Sequence, residues 1–553
     1  MKKRDYIALG VIMFFYSVIA FFHLGDRQAP ESFYEISECY EQVVLDLGEV
    51  SHIQKMDYYL GCYHDRKISM ETSVSEDGPY RPIEEDLVLE KVFSWGSIEI
   101  NRDVRYVRLV FLDDKASIGE IVFIDENGKA ITPKKVNSTD VAKLFDETEL
   151  YTGRKTYLNS TYFDEVYHAR TAYEYIHGLY SYENTHPPLG KLFISCGIRA
   201  FGMNPFGWRI AGTLFGIAML PFIYLFAKRI VKEYFLTVCT TILFAFDFMH
   251  FTQTRIATID VFVTFFIILM YYFMYCYCKR SQNGETLART LVPLGLSGIS
   301  MGFGVASKWT GAYAGVGLGV IFFATLYLRW KKDRSLSYVI KTLAFCLIFF
   351  VAIPALIYTL SYIPFVDNQN TGLIAKMLKN QETMFSYHTE IDATHPYSSW
   401  WYQWPIMYRP IWYYSGTVTE TVKEGISAFG NPLVWWAGIP AFFYLLYRAV
   451  KKKDKKAGFL VAAYLAQYIP WIFVRRITFI YHYFPSVPFV TLMIGYCMFL
   501  LWKKWPKIEL GICIYTGLAA FLFVMFYPVL SGFPVSTWYV DNFLRWFGSW
   551  VLL

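Results

Sequence analysis

Apolar runs of bilayer-crossing length alternate with short polar stretches through most of the chain. They fall at roughly 6–24, 208–227, 234–250, 258–278, 289–306, 310–329, 338–362, 429–448, 457–474, 483–502 and 508–530, which predicts about eleven spans. Between residues 27 and 155 the pattern changes to short alternating segments. Ser97–Ile100, Tyr106–Phe111 and Glu120–Ile124 show period-two patterning in whole or part, and Glu126-Asn127-Gly128 marks a turn. Several such strands in series predict a β-sandwich. The expected architecture is a polytopic α-helical membrane protein with an extracytoplasmic β-sandwich inserted after the first helix. Its parts are a first transmembrane helix (1–26), the sandwich (27–155), an N-terminal membrane domain (156–362), an aromatic-rich outer loop (363–427) and a C-terminal four-helix membrane domain (428–553).

Composition agrees with a bilayer setting. Of 553 residues, 55% are hydrophobic, 20% aromatic and only 18% charged, so a water-facing surface could not accommodate them. The net charge of +6 is spread as small clusters between apolar runs, which argues against nucleic-acid binding. Those clusters obey the positive-inside rule. Starting from Lys2, Lys3 and Arg4, every second loop is basic, as at Lys228-Arg229, Lys331-Lys332, Lys451–Lys453 and Lys503-Lys504. The N-terminus is therefore expected in the cytoplasm of a multi-pass cell-membrane protein, with the C-terminus outside. The first span shares features with a signal peptide, but its long apolar run lacks a small-residue cleavage site, so a retained anchor is expected.

Cysteines and metals add little. Cys39 and Cys62 are the two cysteines in the outer polar segment and could pair, although a lone pair fixes nothing. No zinc-ligand spacing appears, and the sequence makes no cofactor certain. A divalent metal on the carboxylates stays open, without diagnostic spacing.

Candidate chemistry gathers on the expected outer side. Tyr162-Phe163-Asp164-Glu165-Val166-Tyr167-His168 carries two adjacent carboxylates, and Thr185-His186-Pro187-Pro188-Leu189-Gly190-Lys191 follows, its proline pair breaking one helix and opening another. Arg209, Arg255, Lys308, Arg475 and Arg476 break the charge rule there. A single one could be snorkelling to the headgroups, but five near Asp and His residues suggest function. For Asp164 and Glu165 the structural alternative is a helix cap with a first-turn acid. His186 reads equally as a turn-holding histidine, and His482, between Tyr481 and Tyr483, as part of an interfacial aromatic belt.

Five ordered stretches, beginning with the Asp-Glu and His-Pro-Pro-Leu-Gly-Lys segments, resemble the protein O-mannosyltransferase family, glycosyltransferase family 39, with its GT-C membrane fold. The others are Pro205–Ile210 with Leu214–Gly216, then Asp247, Gln253, Arg255 and Asp260, then Gly302–Gly311 with its Lys308-Trp309-Thr310-Gly311, and finally Asn431–Trp436, Tyr468–Trp471 and Arg476 with Phe479–Pro485. The 363–427 loop is too short for the sugar-binding module of eukaryotic members, which points to a bacterial type. The resemblance implies inverting transfer of mannose from a polyprenyl or dolichyl phosphate to a Ser or Thr hydroxyl of an acceptor protein. It makes Asp164 the base that accepts the hydroxyl proton and gives Glu165 a positioning role. Arg209, Lys308 and Arg476 suit the departing phosphate. His186, Arg255, Asp260, His395, Trp400 and His482 are possible substrate-binding residues.

The polar segment resembles the discoidin, or coagulation-factor C-type, fold at Leu45–Gly48, Ser73–Gly78, Val104–Leu109 and Ile118–Ile121. Glycan binding by such a domain is possible but not implied by the fold. Two other functions stay open. One is a GT-C transferase using another lipid-linked sugar or a glycan or lipid acceptor. The other is a transporter or flippase of lipid-linked sugars, which the lack of internal repeats and the edge placement of the charges disfavour.

Overall fold

The computed structural model describes the chain except residues 37, 64–65, 135–138, 370 and 391–392. Two compact units emerge: residues 1–22, 174–196 and 209–553 form one, and 23–173 with 197–208 the other.

The first unit is helical. Among the described residues, nine helices of the chain are long and apolar enough to cross a membrane, and the bent pair Tyr234–Ala245 and Phe248–Thr254 makes a tenth. The eleventh expected run, 457–474, folds as the helix Lys455–Tyr468 followed by the 3-10 turn Ile469–Phe473. Pro470 lies at the start of that turn, where its missing N–H ends the α-helical ladder early. The bend at 245–248 is pinned by Asp247. Its Oδ1 accepts from the N–H groups of Met249 and His250, capping the short helix. Its Oδ2 accepts from the Asn431 N–H at 3.2 Å and the Trp435 indole at 2.9 Å. Asn431 in turn caps the helix Pro432–Lys451. Two stretches of the family pattern thus form one buried structural lock.

The expected outer loop carries structure of its own. It holds the helix Leu373–Glu390 and a later hairpin, and that hairpin adds a short strand from the C-terminal end.

The second unit is built on an antiparallel sheet. Its strands are β1 (Tyr34–Ile36), β2 (Gln42–Leu60), β3 (Arg66–Ser73), β4 (Arg81–Leu89), β5 (Ser94–Phe111), β6 (Ala116–Asp125) and β7 (Ala130–Ile131). Their order is β1-β6-β2-β5-β3-β4, with β7 on β6. The described strands therefore join in one hydrogen-bonded network. The long β2 and β5 are the reason: a register shift between Asp46 and Ser51 lets one ladder continue through both. A core including Leu45, Ile53, Met56, Val107, Leu109 and Phe123 lies along it. Cys39 and Cys62 are free thiols, one exposed and one buried, so the disulfide considered from sequence is not formed.

Candidate active site

Within the helical unit a cleft of about 470 Å³ is lined by His186, Lys308, Trp309, Tyr313, His388, Trp471, Arg475 and Arg476, among others. Lys308 sits where the chain breaks between the helices Leu287–Ser307 and Thr310–Asp333. It takes an extended conformation (φ −159°, ψ 140°), which turns its side chain out of both helices. Gly311 permits that break, because a Cβ there would lie 2.7 Å from the backbone carbon of Gly304. Lys308 Nζ donates to both oxygens of Asp260, at 2.8 and 2.9 Å, and Asp260 is the first residue of the helix Asp260–Gln282. Both side chains are buried, so each offsets the other's desolvation.

The His-Pro-Pro-Leu-Gly-Lys segment is organised by a residue outside it. Glu183 accepts from the Thr185 N–H at 3.1 Å and the His186 Nδ1–H at 2.8 Å, and also from the Thr185 hydroxyl and Lys191 Nζ. Lys191 is fully buried and donates further to the carbonyls of Glu183 (2.7 Å) and His186 (3.1 Å). Its charge holds a loop closed and does not face the cleft. Burial lowers the His186 pKa despite Glu183 beside it.

His388, on the helix Leu373–Glu390, hydrogen-bonds through Nε2–H to the Thr185 carbonyl at 3.0 Å. Its buried Nδ1 has no protein partner among the described residues. Burial, reinforced by His186, Arg476 and Lys308, pushes its pKa down to about 4, so the ring is neutral at pH 7. Trp309 is fixed from behind by a relay of hydrogen bonds: its indole donates to Tyr358, Tyr358 to Gln381, Gln381 to Tyr362, Tyr362 to Asn380, and Asn380 to the carbonyl of Asn184.

Arg475 is exposed and Arg476 half-buried on the stretch after Trp471. Among the described residues neither pairs with a carboxylate. The Arg476 guanidinium reaches only the Ile477 carbonyl, at 3.5 Å. The cleft thus offers two uncompensated guanidinium groups beside a compensated ammonium, a neutral imidazole and aromatic faces. That arrangement suits a phosphate-bearing ligand with a sugar to stack.

The residues expected from sequence divide. His186, Lys308 and Arg476 line the cleft, and Asp260 holds Lys308. Arg209 is fully buried at the start of its span and is not a lining residue. Arg255 donates to the Phe22 carbonyl at 2.8 Å and stacks on Phe251, a packing role. His482 is buried behind the cleft, its ring edge-on to Trp471 at 4.4 Å and its Nδ1 on the backbone of Phe479. His395 packs edge-on against Phe479, and Trp400 is half exposed with its N–H on Gln403; neither lines the cleft. Asp164 and Glu165 belong to the other unit. There Glu165 is fully buried and accepts from the Tyr162 N–H at 3.3 Å, while Asp164 is half-buried after Phe163, whose φ is +49°. Sequence reasoning missed Glu183, Lys191 as its partner, and His388. The one available signal was an acid two residues before the Thr-His pair.

Comparison with known proteins places these features in a family. Residues 199–366 match the family model described as dolichyl-phosphate-mannose-protein mannosyltransferase. Residues 373–550 match that of the C-terminal four-transmembrane region of protein O-mannosyltransferase. The polyprenol-phosphate-mannose–protein mannosyltransferase of Mycolicibacterium smegmatis is 24% identical over 469 residues, covering 72% of this chain and 89% of the relative. The protein of the same name from Corynebacterium glutamicum is 26% identical over 427 residues, covering 66% and 81%. Among solved structures, the Saccharomyces cerevisiae protein O-mannosyltransferase Pmt1–Pmt2 complex bound to the sugar donor aligns with a TM-score of 0.63 at 13% identity, over 71% of this chain and 89% of that one. This shows the shared GT-C fold.

Proposed function

The chain belongs to the protein O-mannosyltransferase family, and from that premise we propose how its cleft works. This multi-pass membrane enzyme moves a mannosyl group from a polyprenyl-phosphate carrier to Ser or Thr hydroxyls of proteins. The acceptor oxygen attacks the anomeric carbon and the carbon–oxygen bond to phosphate breaks. The lipid phosphate leaves with the electron pair, and the anomeric configuration inverts. The observation that carries the donor assignment is the pair Arg475–Arg476, charged and, among the described residues, without carboxylate partners in a cleft floored by Lys308. Guanidinium groups pair bidentately with phosphate oxygens and stabilise the charge that grows on them.

Asp164 accepts the hydroxyl proton and Glu165 positions the acceptor; both roles rest on the family's Asp-Glu motif, as does that of Arg209 at the phosphate. The loop charges support a cytoplasmic N-terminus, with the cleft and C-terminus outside.

The test is transfer of labelled mannose from polyprenyl-phosphate mannose to a Ser/Thr peptide in membranes holding the wild type or Asp164→Asn. Alkali-labile label on the peptide, lost in the variant, is expected. A full-rate Asp164→Asn enzyme ends the base assignment, and label found only on lipid or glycan transfers the proposal to a different acceptor.

A further inference from the structure

The β-rich unit holds a cluster that the transfer reaction does not use. One side-chain oxygen from each of Glu120, Asp146 and Glu147 converges, the three lying within 4.8 Å of one another. Among the described residues no Lys, Arg or His pairs with any of them. Three carboxylates gathered without a cation repel one another.

Two of the three are anchored from outside the cluster. Glu147 Oε2 accepts from the N–H groups of Glu31 and Ser32 at 2.8 and 2.9 Å, and Asp146 Oδ1 accepts from the Ser32 hydroxyl at 2.7 Å. Glu120 Oε1 takes the N–H of Glu147 at 2.7 Å. Its other oxygen, Oε2, is buried with no hydrogen-bond partner among the described residues, on a residue that is fully buried on β6. A buried carboxylate oxygen left without a partner is costly, and native structures rarely tolerate one.

We propose that Glu120, Asp146 and Glu147 bind one Ca²⁺, which clasps the chain entering this unit at Glu31–Ser32 to the segment that closes it at Asp146–Glu147. Donor chemistry selects the ion. All three groups are hard oxygens, with no histidine or thiolate to favour zinc or copper. Ca²⁺ accepts flexible geometry at about 2.3–2.6 Å, so two oxygens on one ion can stand nearly 5 Å apart. Mg²⁺ demands a tight octahedron at about 2.0–2.1 Å and keeps its waters, which suits such a spread less well. The exposed Asp146 gives the ion a route in and leaves room for water ligands.

The full-length protein in detergent, stripped with EDTA, tests the site by equilibrium dialysis with radiolabelled Ca²⁺ and by thermal unfolding. The wild type is expected to take up one Ca²⁺ per chain and to melt about 5 °C higher at saturation. Glu120→Gln should bind none and show no rise. In EDTA it should melt no lower than wild type, because its amide can donate to Asp146. Asp146→Asn, at an exposed position that leaves the core untouched, should also lose uptake. Ca²⁺ retained by both variants, an equal rise with Mg²⁺, or no uptake by the wild type overturns the proposal. Stabilisation by falling pH with indifference to Ca²⁺ would reduce the cluster to carboxyls sharing a proton, and would overturn it too.

Discussion

The floor and the rim of the cleft carry the same sign of charge in opposite conditions. At the floor Lys308 is buried and spends its ammonium on both oxygens of Asp260. Behind the His-Pro-Pro loop Lys191 is likewise committed to Glu183. At the rim Arg475 and Arg476 are accessible and, among the described residues, have no carboxylate to answer them. Position in the family pattern does not separate these groups, since Lys308 and Arg476 both belong to it. The difference lies in compensation. A buried cation must be paired before any substrate arrives, whereas an exposed one can wait for an anion at little cost. The floor is therefore read as architecture and the rim as recognition.

The sharpest break of that contrast is Lys308→Met. It leaves Asp260 buried without a counter-charge, and losing one partner of such a pair costs about 3–5 kcal/mol. Thermal unfolding of the purified protein should show a large drop in Tm, and the double variant Lys308→Met/Asp260→Leu should recover most of it. A single variant as stable as the wild type would mean that the floor pair is not structural.

At the rim the loss should appear in turnover instead. Arg475→Ala/Arg476→Ala removes charge-assisted hydrogen bonds worth about 1.5–3 kcal/mol, so kcat/KM for the lipid donor should fall about 10- to 100-fold. Tm should stay within the error of the wild type. If Tm falls and donor dependence stays unchanged, the two regions have been read the wrong way round.

How much of this contrast the sequence could show depends on the range of the contacts. The apolar runs were legible because bilayer thickness fixes their length, and the break at Lys308 because one run stops at 306 and the next starts at 310. The commitment of Lys308 to Asp260 was not, since 48 residues separate them and the two were given independent roles. Glu183 escaped notice for a similar reason: its importance lies in four donors converging on it, and only its nearness to Thr185 is local. His388 lies on a helix that the sequence reading took as part of an aromatic loop. In the β-rich unit, alternation located β6 and two separate pieces of β5, Ser97–Ile100 and Tyr106–Phe111, but not their joining, because an irregularity inside a long strand leaves little periodic trace.

A smaller effect should follow from loosening the relay that steadies the floor. Trp309→Phe keeps the aromatic face and removes the indole donor to Tyr358, a hydrogen bond worth about 1 kcal/mol net. KM for the donor should rise a few-fold with kcat nearly unchanged. A fall in kcat at constant KM would place Trp309 in the chemistry.

The smallest effect concerns pH, and it separates the two regions without removing a charge. His388 has a folded pKa of about 4, below the ordinary histidine value near 6.5. Between those values the unfolded chain binds a proton that the folded chain refuses. Its contribution to stability is therefore complete above about pH 6.5 and is lost as pH falls towards 4. His388→Gln, which keeps a donor for the Thr185 carbonyl, should flatten part of the decline of Tm between pH 6.5 and 4 and leave Tm at pH 7.5 close to wild type. The slope removed by this substitution belongs to the imidazole. An unchanged slope would mean that His388 charges freely in the folded protein, and the cleft wall beside Arg476 would then be cationic rather than neutral.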